Sequence, residues 1–371
     1  MGYRRRILWG AGLGVVLAAA VLAWGPAAHR GGEPGVILSE CQGPLREMVI
    51  QYESGALEDI APVYREFLGQ LDADVTVHAV CPDRAAFDQL RGVVGPTRCR
   101  VTPVLTGHAQ TSWARDRWVA LACPDGSARL VCPAHETAGG AWPQRAGDER
   151  IAENLASSVP GVRCQRSDLY FDGGDVLATP RHAILTTRVL PRNVARTVQD
   201  SPELTRRMES LLGRPALLLE TAPDHHAAMF MMSAGQDVML VGDPSMAKAC
   251  CSTAAPAVAS LPDGADFSAQ TQGLFDAVAE QCRQAGHRVV RIPVVPGRDG
   301  RTYLTYVNVL IDFPPGRPLV YMPTYRGAEP LNDAAAAVWR GLGYEVRPID
   351  CTNVYRHFGC LHCLVNVLRR G

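Results

Sequence analysis

The sequence lacks an excess of charge of either sign. Its 37 Lys and Arg residues balance 37 Asp and Glu residues over 371 positions. That absence excludes a basic footprint for nucleic acid and a global field for steering acidic partners, so any charge recognition is local to a site. Beyond the first 35 residues the chain also lacks a Ser/Gly/Pro-rich spacer or a block of like charge. Nothing therefore divides it, and residues 36–371 read as one domain. Apolar residues are plentiful at 47%, enough for a sizeable core.

Charge is also missing from Ile7 to Ala28, immediately after Arg4-Arg5-Arg6. At about 1.5 Å per residue this run can cross a hydrocarbon core of about 30 Å. The arginines stay cytoplasmic and place the rest on the far side. Residues 1–28 are therefore read as a membrane anchor through residues 7–28, with 29–35 as a short Gly/Pro linker. A cleaved signal peptide is the alternative, although Gly25-Pro26-Ala27-Ala28 is a poor cleavage site. Both readings export the domain.

Export bears on the twelve cysteines, most of which are expected to pair in an oxidising compartment. If one remains a free thiol, the other eleven are odd in number. A tight hairpin at Asp125-Gly126 is expected to set Cys123 opposite Ala128 rather than Cys132. The adjacent Cys250 and Cys251 are expected to bond to different partners.

Apolar strands alternate with amphipathic helices throughout, the pattern of an α/β domain. Expected strands are Arg117–Cys123, Ala183–Thr187, Ala216–Glu220, Val238–Val241, His287–Val295, Tyr303–Leu310, Leu319–Met322 and Tyr344–Ile349. Expected helices are Ala56–Leu71, Asp83–Leu90, Ser201–Leu212, Phe267–Ala285 and Leu331–Leu342.

Five patches hold residues capable of chemistry. Trp113-Ala-Arg-Asp-Arg-Trp118 sets an acid between two arginines, which alone reads as a surface ion-pair cluster. Phe171-Asp-Gly-Gly-Asp175 reads as a tight turn with close backbone approach, or as an ordinary Asp-Gly turn. Asp224-His225-His226 offers two histidines that point to opposite faces if the segment is a strand. They cannot easily share a metal, and one structural plus one functional histidine is the expectation. Thr302–Asn308 looks like a strand with Asn308 near its end. Last, Cys360-Leu-His-Cys363 is formally a C-x-x-C. It could be a redox pair, or a zinc site with Cys351 and His357, but no second paired knuckle accompanies it. No metal is expected.

Taken in order, the patches resemble the guanidino-group modifying (pentein) superfamily: agmatine deiminases, peptidylarginine deiminases, dimethylarginine dimethylaminohydrolases and amidinotransferases. Trp113-Ala114-Arg115-Asp116 is similar to an agmatine-deiminase segment, and Asp172-Gly173-Gly174-Asp175 to a dimethylarginine-hydrolase turn. Leu185-Thr186-Thr187 with Asn193 resembles the agmatine-deiminase strand and loop that follow. His362-Cys363-Leu364-Val365-Asn366 resembles a peptidylarginine-deiminase C-terminus. The resemblance spans roughly Thr111 to Gly371 and implies a five-bladed α/β propeller. It implies Cys363 as nucleophile, His226 as general acid and base, Asp172 as the carboxylate orienting His226, and Asp116 as the carboxylate gripping a guanidinium. Trp113, Arg115, Asp175 and Asn308, in the same motifs, are read as substrate-binding. The expected activity is hydrolysis of a guanidine C–N bond in a small molecule or peptidyl arginine, with no cofactor. An amidinotransferase and an inactive binding domain are the alternatives.

One position departs from the pattern. Most deiminases carry His-x-Asp, whereas the residue two past His226 is Ala228. Losing one of two carboxylates around a buried cation costs about 3–5 kcal/mol. Asp224 or Asp175 could substitute, or the substrate could be a different guanidine. Cys360 is a further candidate, for capping Cys363 as a reversible disulfide.

Overall fold

A computed structural model describes residues 35–136, 145–250 and 255–371. Residues 7–28 and Cys251 lie outside the described residues, and so do the expectations placed on them. Among the described residues no helix is long and apolar enough to cross a membrane. Gly35–Gly371 forms one compact unit.

The unit is mixed α/β, with five separate sheets of three or four strands and none closed on itself. One local plan recurs. A first strand runs antiparallel to a second, and a helix then crosses over to a third strand parallel to the second. Leu310–Asp312, Leu319–Thr324, helix Glu329–Gly341 and Glu345–Asp350 show the plan in its shortest form. It repeats from Val119–Ala122 to Val162–Arg166, from Val176–Ala178 to Ala216–Leu218, and from Met231–Ser233 to Arg288–Pro296. In the remaining sheet Leu45–Gln51, Thr76–Cys81 and Arg100–Leu105 run parallel. Its antiparallel first strand, Val365–Arg370, comes from far along the chain.

Helix Ser201–Leu212 illustrates why these residues form these elements. Asp200 caps it by accepting the Glu203 N–H at 2.8 Å, Pro202 sits in its first turn, and Gly213 ends it at φ +66°. Its Leu204, Met208 and Leu212 share one buried face.

The expected strand Tyr303–Leu310 is corrected by the structure. Tyr303–Thr305 closes one sheet and Leu310–Asp312 opens the next, leaving Asn308 in the link between them. The hairpin at Asp125-Gly126 is also one residue longer than expected, because Ala122 pairs with Ala128. Cys123 thus faces Ser127, whose carbonyl accepts its N–H at 3.0 Å. All eleven cysteines among the described residues are free thiols, against the expectation of extensive pairing. Cys132 and Cys164 are neighbours, with Sγ atoms 3.4 Å apart.

Candidate active site

The first strand of each repeat fixes where chemistry is placed. Asp116 lies just ahead of Val119–Ala122, Asp172 ahead of Val176–Ala178, and His226 ahead of Met231–Ser233. Asn308 lies just ahead of Leu310–Asp312 and Cys363 ahead of Val365–Arg370. Each repeat thus delivers one polar side chain from the same loop, and interactions among the five bring them to one place.

His226 sits at the centre. Its Nδ1 is 3.7 Å from Asp116 Oδ1 and its Nε2 is 3.5 Å from Asp172 Oδ2. Burial would strip its proton. The Asp116 carboxylate, hydrogen bonds to Asp172 and Cys363, and the Asp175 charge outweigh that and hold its pKa well above the usual value. These surroundings favour the protonated ring. Its neighbour His225 behaves oppositely, with burial and the His226 charge pushing it down to about 3. Neutral His225 uses Nε2 toward the Arg301 carbonyl (3.0 Å) and accepts the His226 backbone N–H at Nδ1 (2.8 Å). The two histidines thus face different surroundings: His225 packs against the Arg301 carbonyl, and His226 lies among the carboxylates.

Cys363 is 4% exposed, in the one-turn helix Leu361–Leu364. Its Sγ accepts a hydrogen bond from Asn308 Nδ2 at 3.4 Å, and its backbone carbonyl accepts the Arg115 N–H at 3.2 Å. Asn308 is held in turn by the His362 backbone N–H, which donates to its Oδ1 at 2.8 Å. Asn308 therefore serves the sulfur directly. Cys360 Sγ lies 3.5 Å from the Tyr325 hydroxyl with Cys351 beside it, and Cys360 and Cys363 are both free thiols here. The zinc grouping is not assembled, because His357 is bonded to Asp59 at 2.8 Å on the surface.

The paired glycines have a packing role. A Cβ on Gly173 would lie 2.2 Å from the Arg115 carbonyl oxygen, and one on Gly174 would lie 2.5 Å from His226 Nδ1. Only glycine lets this turn approach both the Asp116 loop and the His226 ring. Asp172 and Asp175 bracket the turn as a reciprocal cap.

Arginines fill the surroundings. Asp172 meets Arg117 Nη1 at 3.1 Å and Arg192 Nη1 at 3.3 Å. Burial opposes ionisation of Asp172, yet His226 and these guanidiniums hold it well below the usual carboxylate range. Asp175 is fully buried, with Arg192 at 3.0 Å, Arg188 at 3.2 Å and the Thr186 hydroxyl donating at 3.1 Å. Asp116 Oδ2 accepts from Arg145 Nη2 at 2.6 Å. Ligand atoms of Asp172, Asp175 and His226 lie within 4.8 Å of one another, a spacing that could suit a cation. The arginines already neutralise those carboxylates, so a divalent ion would have to displace them.

Several sequence assignments move. Arg115 turns away from the site and pairs with buried Glu40 at 2.6 Å. Asp175 is wholly buried in the turn, held by Arg188, Arg192 and Thr186. Trp113 is half-buried with its ring against Gly359, in the loop leading to Cys363. Neither proposed substitute for the acid missing at Ala228 fits. The Asp224 side chain is 90% exposed, and Asp175 is saturated by its partners. Sequence reasoning missed Arg145, Arg188 and Arg192, and it missed Glu40. Glu40 accepts from Arg115 and bonds His362 Nε2 at 3.1 Å, bracing the residue before Cys363. No motif marks these positions.

No family model matches the sequence, and no curated protein matches it. Solved structures do. Agmatine deiminase of C. jejuni matches with a TM-score of 0.66 at 14% identity, covering 90% of this chain and 96% of that one. Agmatine deiminase of Enterococcus faecalis matches at 0.66 and 14%, covering 92% and 99%. A putative arginine deiminase from Porphyromonas gingivalis matches at 0.67 and 19%, covering 90% and 97%. At these identities the likeness is one of fold: the chain has the fold of these agmatine and arginine deiminase structures.

Proposed function

We propose that the chain is a hydrolase of guanidino compounds that works through a covalent intermediate on Cys363. The carrying observation is that Cys363, His226 and Asn308 meet at one point while Asp116 and Asp172 flank the same imidazolium. In the proposed arrangement the five repeats stand radially as a five-bladed propeller, with these loops at its centre. The deiminase names of the matching structures support a guanidine as substrate.

The chemistry follows from the groups present. Asp116 Oδ1 is buried without a hydrogen-bond partner among the described residues, and it faces the imidazolium. A substrate guanidinium N–H supplies that missing donor and fixes the central carbon for attack. The Cys363 sulfur forms a C–S bond with this carbon, helped by the imidazolium and the Asn308 N–H, the donors a sulfur anion needs. His226 gives its proton to the departing nitrogen as the C–N bond breaks, releasing ammonia or an amine. Now neutral, it takes a proton from water, which attacks the same carbon. The C–S bond breaks, and a ureido product leaves. Asp172 keeps His226 oriented through both steps.

A second reading is a binding domain that does not turn over. It is favoured by the missing acid at Ala228 and by Arg145 already seated on Asp116. The location proposed is the far side of a membrane, supported by Arg4-Arg5-Arg6 and the uncharged run from Ile7 to Ala28.

The deciding experiment measures ammonia and ureido product from arginine, arginine peptides, agmatine and methylated arginine under reducing conditions. Turnover by the wild type and none by Cys363→Ala supports the hydrolase. A folded wild type inert toward every guanidine moves the assignment to the binding domain.

A further inference from the structure

Resting on that reading, we infer that Asp148 and Arg145 form a positioning relay that aims one oxygen of Asp116 at the substrate's guanidinium. Asp148 opens the helical turn Asp148–Arg150, and its side chain is wholly buried. It accepts the Thr111 backbone N–H at 2.7 Å, the Thr111 hydroxyl at 2.6 Å and, more loosely, the Gln51 side-chain amide at 3.4 Å. Its Oδ2 also accepts from Arg145 Nε at 3.3 Å. Arg145 in turn donates from Nη2 to Asp116 Oδ2 at 2.6 Å. Asp148 thus holds the Asp116 loop twice, by its backbone at Thr111 and by its carboxylate through Arg145.

Arg145 is answered on both sides. Burial works against its charge, but the Asp116 and Asp148 carboxylates outweigh burial and hold its pKa above the ordinary guanidinium value. What the relay leaves over is Asp116 Oδ1. That atom is buried without a hydrogen-bond partner among the described residues and lies 3.7 Å from His226 Nδ1. With Oδ2 pinned, the carboxylate is held against rotation and Oδ1 stays on the side of the ring. A substrate N–H then meets an acceptor that binding does not have to order. The placement of this one oxygen counts for more here, because Ala228 supplies no second carboxylate.

The test measures equilibrium binding of agmatine and of arginine to Cys363→Ala protein, so turnover does not interfere. Arg145→Met cuts the relay at its partly exposed link and leaves the Thr111 bonds to Asp148 in place. Asp148→Asn breaks it at the buried end. Each should weaken whichever probe binds by about tenfold. Arg145→Lys, which keeps a donor toward Asp116, should recover part of the loss. In an Asp116→Asn background neither substitution should cost more than about twofold further, because the relay acts through that carboxylate. With Cys363 present, the loss should fall on KM rather than on kcat. Circular dichroism and a thermal melt establish that each variant folds, and Arg145→Met decides the matter if Asp148→Asn does not fold. Tighter binding by Arg145→Met makes Arg145 a competitor for Asp116 and overturns the inference. Unchanged binding, a loss confined to kcat, or a loss undiminished after Asp116→Asn overturns it as well. All of these leave the hydrolase reading standing. Binding of neither probe to the parent protein, with no turnover of any guanidine, removes both.

Discussion

Asp172 Oδ2 stands 3.5 Å from Nε2 of His226, and the same carboxylate is gripped by Arg117 and Arg192. Asp172→Asn preserves shape but removes the negative charge that helps keep the ring protonated. The expected outcome is a fall in kcat/KM of about 10²-fold or more, with the pH–rate profile shifted toward lower pH. A pH series on a guanidine substrate, paired with an NMR titration of His226, measures both effects. An unshifted titration would show that Asp172 does not control this proton.

The two sulfurs of the C-x-x-C should behave differently. Cys363→Ser should abolish turnover while leaving guanidine binding within a few fold. Cys360→Ser should leave turnover within about threefold, because Cys360 packs against Tyr325 and Cys351. Steady-state rates and binding constants for both variants decide the matter.

Gly174→Ala should disturb the site and Gly273→Ala should not. The new methyl at 174 would start 2.5 Å from His226 Nδ1, so ring or turn must shift. A stability loss of about 1–3 kcal/mol, with at least tenfold lower activity, is expected. Gly273 lies in helix Ala269–Gln284 with nothing within 4 Å of its would-be Cβ. Alanine there should stabilise by about 0.4–1 kcal/mol. Urea denaturation of both variants provides the comparison.

Glu40 links acid stability to His362, the residue before Cys363. Burial would raise its pKa, but Arg115 and then His362 and Arg370 hold it down at about 2. A carboxylate depressed in the folded state contributes stability that is full above its ordinary value of 4.5 and is lost as pH falls toward 2. That contribution is about 3 kcal/mol. Glu40→Gln should destabilise near neutral pH by roughly that amount, and the difference should shrink as pH falls below 4.5, read by urea midpoints across the acid range.

His225 and His226 should pull the pH–stability curve in opposite directions. His225 stays neutral down to about pH 3 when folded, so below its ordinary 6.5 the unfolded chain takes the extra proton and stability falls. His226 is raised, so its contribution is fully present below 6.5 and disappears as pH rises through its folded value. His225→Gln should flatten the acid side and His226→Gln the alkaline side. Melting temperatures across the pH range would record both changes.

The longer elements were legible in the sequence because period and caps agree. Helix Ser201–Leu212 matches its expected bounds, and Val238–Asp243 and Leu319–Thr324 extend their expected strands by two residues at the end. Three-residue strands such as Val176–Ala178 and Met231–Ser233 escaped, being too short for an alternation to register. Asn308 was misplaced because Tyr303–Leu310 is apolar throughout, and hydropathy cannot show a chain leaving one sheet for another. Cys363, His226, Asp172 and Asp116 were found through the order of their motifs. Arg145 and Glu40 were not, because each is defined by a partner distant in sequence, Asp116 for one and His362 for the other.

The strand that follows Cys363 completes the sheet begun by Leu45–Gln51. During synthesis, that early sheet waits for a partner made hundreds of residues later. Cys363 stands beside His226 and Asn308 at the head of a strand whose sheet partner lies hundreds of residues earlier, so the cluster is assembled only from stretches made at the two ends of synthesis.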